Sequence, residues 1–338
     1  METNNNSFNW KFFGKIFLSF SITVALFYFI FTYTDWRGVL NTILQIPIPF
    51  LFLFAFIFLT VFLFRTIRIS LFLQKKIPLL KLFLITIVHN TLAQLIPFRL
   101  GEFSFIYFTR KLHTVSEEEA LLSLVLVRIF DFVTVSILLI ISFFIAKKVS
   151  AETIPIEFHI FYVAFPIILG LLLVYIRKTL TILHTLCQQK CIKESSWIQH
   201  LSKRVENMIS CLHTIYSKKI FLIAFILSLG IWIFYSFFLY LVFDYLGVSV
   251  SYTLLLFISS ATILFSSIPI QGFAGFGTVE VSWTIFLLLI GIEKITALEI
   301  AFAVHSIGIF IIVILGLCSY FLLRLVNKME KKEQLTKP

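Results

Sequence analysis

The sequence predicts an all-α polytopic membrane protein: six full spans plus two re-entrant helical hairpins, arranged as an inverted-topology repeat. Three observations predict it. The first is composition, 59% hydrophobic and 13% charged, with a mean hydropathy of +1.01; soluble domains run near half apolar and about a quarter charged. The second is a set of six apolar runs near the ~20 residues that a spanning helix needs. The third is a pair of further apolar regions, each broken by proline and glycine at corresponding places in the two halves of the chain.

The elements follow in order. Residues 1–11 are polar and read as a cytoplasmic N-terminus. The first run, 12–33, has no small-residue cleavage site after it, so it reads as an uncleaved span. Runs at about 48–64, 119–146, 158–176, 220–246 and 297–324 supply the other five. Region 79–112 is interrupted by Pro97-Phe-Arg-Leu-Gly-Glu102, and region 252–292 by Ile268-Pro-Ile-Gln-Gly-Phe-Ala-Gly-Phe-Gly-Thr-Val-Glu280. The Lys and Arg residues decide how these two are counted. Arg65, Arg68, Lys75 and Lys76 follow the second run, basic residues fill 177–219, and Arg324, Lys328, Lys331 and Lys332 close the chain. All fall on the cytoplasmic side if the chain starts inside, crosses six times, and each broken region enters and leaves on one face. Lys147 and Lys148 are the exception, offset by Glu152 and Glu157. The first repeat is then 12–146, the second 158–326, and 327–338 a cytoplasmic tail. Both termini lie in the cytoplasm and the setting is the inner, plasma membrane.

An inverted repeat with paired breaks is a recurrent plan of secondary transporters, and the breaks point to a site near the midplane. Non-helical backbone at that depth must be buried in protein or line a wet cavity. Gly272, Gly275 and Gly277 therefore have two compatible readings. Their N–H groups and the helix start after them suit an anion, or the glycines allow close helix packing. A dinucleotide-binding loop is excluded, because GFAGFG reverses the required spacing and lacks a preceding strand.

Ionisable groups inside apolar runs cost enough to ask for a reason. Arg99, Gly101 and Glu102 sit in the first break, and Arg99 offers a planar fork suited to phosphate. Arg128 and Asp131 lie three apart in LVRIFDFV; they either pair with each other or serve a substrate phosphate. Glu280 either caps its helix or contacts a cationic headgroup. His305 sits mid-span beside Ser306 and Gly308, while His89 reads as a hydrogen-bonded packing residue. Glu117-Glu118-Glu119 reads as a solvated helix start. The set suits an amphoteric lipid headgroup better than an apolar cargo.

Other classes fare worse. The net charge of +11 follows from basic loops rather than a nucleic-acid module, so no nucleic-acid partner is expected. Cys187 and Cys191 lie near His184, His200 and His213, but the spacing matches no zinc template, and neither a metal nor a cofactor is expected. No nucleophile–base pair or Walker motif is evident, which favours a transporter over an enzyme. A membrane transferase using Glu102, Asp131 or Glu280 as base ranks last. The basic, amphipathic segment 177–219 reads as an interfacial helix pair or as a connector that docks a partner.

P-x-R-x-G-E in LIPFRLGEFSF, R-x-x-D in VRIFDFV, and the glycine-rich break ending in Glu280 together resemble the lysylphosphatidylglycerol synthase transmembrane-region family. The resemblance covers about 12–326 and implies a flippase-like membrane domain that translocates lipid. In family members fused to a soluble aminoacyltransferase domain, that domain makes the lipid and the membrane part moves it; this chain is expected to lack the soluble domain. Stand-alone relatives are tied to glycolipid or polyprenyl-linked sugar pathways. Where the family places an arginine, this chain has His305. The resemblance carries Arg99, Gly101, Glu102, Arg128, Asp131 and Glu280 as site residues. The expected function is lipid flipping, with a membrane lipid as partner. The alternative is an accessory subunit of a membrane glycosyltransferase or envelope-lipid enzyme.

Overall fold

A computed structural model of the chain describes residues 44–111, 115–145, 175–187, 196–215, 217–266 and 273–336, together with 167, 168 and 171. Among these residues there are ten α-helices and no strand. The predicted span 12–33 lies outside the described residues, as does most of 158–176.

Helix α1 (Ile48–Phe72) starts behind Pro47, with a further proline in its first turn, where a missing N–H costs nothing. It ends where Gln74 and Lys75 take left-handed φ of 52° and 58°. At 25 residues it rises about 37 Å, enough to cross a hydrocarbon core of about 30 Å. This corrects the expected end at 64. Arg65 and Arg68, expected in a loop, lie inside the helix, because the apolar pattern continues through Ile67, Ile69, Leu71 and Phe72 around them.

Helix α2 (Leu79–Leu95) stops two residues before Pro97, with Ile96 extended between them, where a following proline disfavours helical backbone. A 3-10 turn, Pro97–Glu102, leads into α3 (Phe103–Arg110). The chain folds back here. A Cβ on Gly101 would lie 2.0 Å from the Leu92 carbonyl oxygen, so only glycine lets the turn lie against α2. Both ends of this unit meet one place: Lys76 pairs with Glu119 (2.5 Å) and Arg110 with Glu117 (2.7 Å). Those acids open α4 (Glu117–Ile145), two residues earlier than expected. Ser116 Oγ accepts the Glu119 N–H (3.2 Å) while Glu119 Oε2 accepts the Ser116 N–H (3.1 Å), a reciprocal capping box.

The basic segment forms α5 (Ile176–Cys187) and α6 (Ser196–Ile215), packed on each other, with α6 against α4. The second half repeats the plan of the first. It runs through α7 (Lys218–Tyr245), α8 (Tyr252–Ser266), a short turn at Phe273–Gly275, α9 (Thr278–Leu289) and α10 (Lys294–Thr336). Among the described residues four helices are long and apolar enough to cross a membrane: α1, α4, α7 and α10 as far as Glu330.

Packing respects an exchange of α1–α4 for α7–α10. Helix α1 packs on its counterpart α7, where Phe54 and Phe58 meet Phe238 edge-on at 5.2 and 4.8 Å. Helix α2 packs on α10, and α8 on α4. The helix before each break thus leans on the long final helix of the other half, and the two breaks touch each other.

Gly101→Ala places a methyl group in the α2 backbone. It is expected to cost about 3 kcal/mol, read as a lowered Tm of the detergent-purified protein, with Leu100→Ala as a neighbouring control.

Candidate functional site

The two breaks and the helices around them enclose a cavity of about 200 Å³. Its walls mix aromatic and aliphatic side chains from α1 and α7 with ionisable ones: Arg65 from α1, Glu102 from the first break, Arg128 and Asp131 from α4, and His305 from α10. Asn90 and Gln94 of α2 and Ser259 and Thr262 of α8 add neutral polar groups.

Burial dictates how the charges are arranged, because an unpaired ion away from water costs several kcal/mol. Arg68 is fully buried. Its Nη1 donates to Asp131 Oδ1 at 2.7 Å and its Nη2 to Oδ2 at 3.2 Å, a fork-to-carboxylate pairing. Nη1 also donates to Ser228 Oγ at 2.5 Å, and Trp232 Nε1 donates to Asp131 Oδ1 at 3.2 Å. One ion pair therefore joins α1, α4 and α7.

Arg128 turns away from Asp131, its neighbour three residues on. Its Nη2 donates to Glu102 Oε1 at 2.6 Å. The open question of whether Arg128 and Asp131 pair with each other is answered: each takes a partner from another element. Only tertiary packing could reveal this, since helical spacing permits the pair.

Glu280, at the start of α9, makes the matching contact in the second half. Its Oε2 accepts the Gly277 N–H at 2.6 Å, and its Oε1 meets His305 Nδ1 at 2.5 Å. The glycine-rich loop makes this possible. Ala274, Gly275 and Gly277 hold φ of 54°, 78° and 90°, a left-handed path that L side chains rarely adopt. It seats Phe276 against the His305 ring, centroids 4.8 Å apart. The Gly277 N–H that an anion might have used is taken by Glu280. Glu102–Arg128 and Glu280–His305 are counterparts, each joining the glutamate after a break to the long helix that follows it, 26 and 25 residues on.

Arg65 is different. Its Nη1 donates to Asn90 Oδ1, and its guanidinium lies 5.9 Å from the Trp232 ring centroid. Asn90 is oriented by its own bond to the Thr86 carbonyl oxygen, 2.7 Å. Among the described residues Arg65 forms no ion pair with a carboxylate, and its Nε has no partner. Among the described residues Arg68 is ion-paired with Asp131 and Arg128 with Glu102, while Arg65 at the cavity wall is ion-paired with neither.

Of the residues singled out in the sequence, Glu102, Arg128, Asp131, Gly275 and His305 line the cavity. Gly101, Gly277 and Glu280 stand behind it and hold the liners in place. Gly272 and the Arg99 side chain lie outside the described residues, as do Cys191 and the side chains of Cys187 and His200. His89 packs on Phe105 and meets Ser104 at 3.2 Å, as a packing residue would. Arg65 and Arg68 were missed, because their charge was used to end the span. The signal was present: two arginines three apart within a pattern that stays apolar to Phe72.

Fold and cavity define a multi-pass, all-helical membrane protein with charged groups gathered between two broken helical units. A family model described as the lysylphosphatidylglycerol synthase TM region matches residues 16–316, and the chain belongs to that family. Neither a curated protein nor a solved structure matches it.

Asp131→Ala strands Arg68 without its counter-ion. Thermal unfolding is expected to show a loss of about 3–5 kcal/mol, with much of it recovered when Arg68→Met is added, since breaking a buried pair costs more than replacing both partners.

Proposed function

We propose that the protein moves the polar headgroup of a membrane lipid between leaflets, through the cavity between the two breaks. One observation carries this reading: Arg65, a guanidinium at the wall of the cavity, forms no ion pair with a carboxylate among the described residues. A phosphate supplies that missing charge, and the guanidinium fork matches its oxygens. Acyl chains would stay in the surrounding lipid while the headgroup passes between Arg65, Arg128 and His305. Family membership supports a lipid-related role.

In this reading α2–α3 and α8–α9 are re-entrant hairpins, and the halves are inverted about the membrane plane. The return of Lys76 and Arg110 to the first turn of α4 supports the first hairpin. The exchange-related packing supports the repeat. Six spans, cytoplasmic termini and a plasma-membrane setting complete the arrangement. Arg99, Gly101, Glu102, Arg128, Asp131, Gly272, Gly275, Gly277, Glu280 and His305 form the headgroup path or its supports, and Arg65 joins them.

A second reading, as accessory subunit of an envelope-lipid enzyme, is favoured by one feature. Helix α5 packs on α6 through Ile176 yet leaves Ile182, Leu183 and Leu186 at 51%, 40% and 46% exposure. Ile182→Asp with Leu186→Asp would then abolish function in cells, while Arg65→Ala would be tolerated there.

The direct test is leaflet exchange of fluorescent phosphatidylglycerol in proteoliposomes, read with an impermeant quencher. Wild type is expected to exceed empty vesicles. Arg65→Ala is expected to lose at least tenfold at equal incorporation and undiminished Tm. Exchange by Arg65→Ala at the wild-type rate would overturn the site.

A further inference from the structure

The two halves treat their break glutamates alike in geometry and differently in chemistry. Glu102 holds Arg128, whose guanidinium stays charged at any pH a protein meets. Glu280 holds His305, an imidazole, the side chain whose charge changes in the physiological range. Glu280 also fixes which ring nitrogen is available. Its carboxyl group accepts the Gly277 N–H through one oxygen and meets His305 Nδ1 through the other; in ionised form it takes a hydrogen from Nδ1. The remaining nitrogen, Nε2, is buried and has no partner. It sits at the cavity wall beside Gly275, 3.8 Å from where a Cβ there would stand.

We infer that His305 Nε2 is a proton-dependent hydrogen-bond donor of the cavity, so that an anionic headgroup bound beside it brings one proton with it. Without that proton Nε2 presents a lone pair, which repels a phosphate oxygen. With it, Nε2 presents an N–H, and the ring carries a positive charge balanced by Glu280 behind it. The Arg128 side of the cavity accepts the same anion whatever the pH. In a protein that moves lipid headgroups, on which this inference rests, such a site couples lipid movement to a proton gradient.

The charged neighbours are few. On α9, Glu280 is the partner. From α1, Arg65 shares the cavity, with Arg68 held behind it by Asp131. From α2, His89 is turned to Ser104, and Lys81 pairs with Glu330 at the far end of α10. From α7, Tyr235 lines the cavity, while Lys218, Lys219 and Asp244 lie at the helix ends. Across the cavity stand Glu102, Arg128 and Asp131. Glu280 is the one carboxylate among these bonded to His305.

The test is calorimetric titration of the full chain in detergent with dihexanoyl-phosphatidylglycerol, repeated in buffers of different ionisation enthalpy to count protons. Wild type is expected to take up close to one proton per lipid on the alkaline side, with affinity falling about tenfold per pH unit there. His305→Arg is expected to bind with no uptake and a flat pH profile. Binding without proton uptake in wild type, or uptake that survives in His305→Arg, overturns the inference and leaves the headgroup reading standing. Inorganic phosphate forms the second arm: equal affinity for it would assign the site to a free anion and overturn the lipid part. A third readout needs no ligand. Infrared difference spectra between pH 5 and pH 9 are expected to show a carboxylate shift that Glu280→Gln and His305→Arg both remove. If wild type lacks that shift, the inference falls whether or not any lipid binds.

Discussion

A charge inside an apolar helix bundle must find its counter-charge, and the Arg68–Asp131 pair is where this protein meets that constraint first. The pair is buried, with an added hydrogen bond from Arg68 to Ser228 and another from Trp232 to Asp131. It fixes how α1, α4 and α7 stand against one another. A pair like this is weak as a source of stability and strong as a specifier of arrangement, because any other packing leaves an ion stranded. Those three helices supply part of the cavity wall, so the bond helps to set its shape. Arg65, one turn before Arg68 on α1, is thereby held at the cavity wall, with no ion pair to a carboxylate among the described residues.

The second organising feature is repetition. Each break ends in a glutamate, each glutamate reaches the long helix that follows it, and each broken unit leans on the opposite half. Repetition explains why the glycines fall where they do. Gly101 lets the first turn lie against α2, and the left-handed path through Gly275 and Gly277 brings Glu280 to His305. Their shared task is to aim a carboxylate. The departure from symmetry is chemical: arginine on one side, histidine on the other.

Much of this was legible in the sequence because the membrane makes polarity expensive. The break at 97–102 showed as proline and glycine inside an apolar run, and the structure has its 3-10 turn there. Glu102, Arg128, Asp131 and His305 stood out for being charged or polar where lipid would not tolerate them, and all four line the cavity. The same logic misplaced Arg65 and Arg68. A rule that ends a span at the first arginine cannot find arginines that a span contains. Partner choice was also beyond reach, since Arg128 and Asp131 are three apart and their separation is decided by Glu102 and Arg68, 26 and 63 residues away in the chain.

The most direct measurement is a phosphorus–nitrogen distance by solid-state magnetic resonance, on protein with nitrogen-15-labelled arginine in phosphatidylglycerol bilayers. A headgroup phosphate held in the cavity gives a short-range coupling to guanidinium nitrogen that Arg65→Met removes while surface arginines keep theirs. A coupling that is the same in wild type and Arg65→Met would contradict it, and would mean that lipid phosphate does not supply the charge that Arg65 lacks.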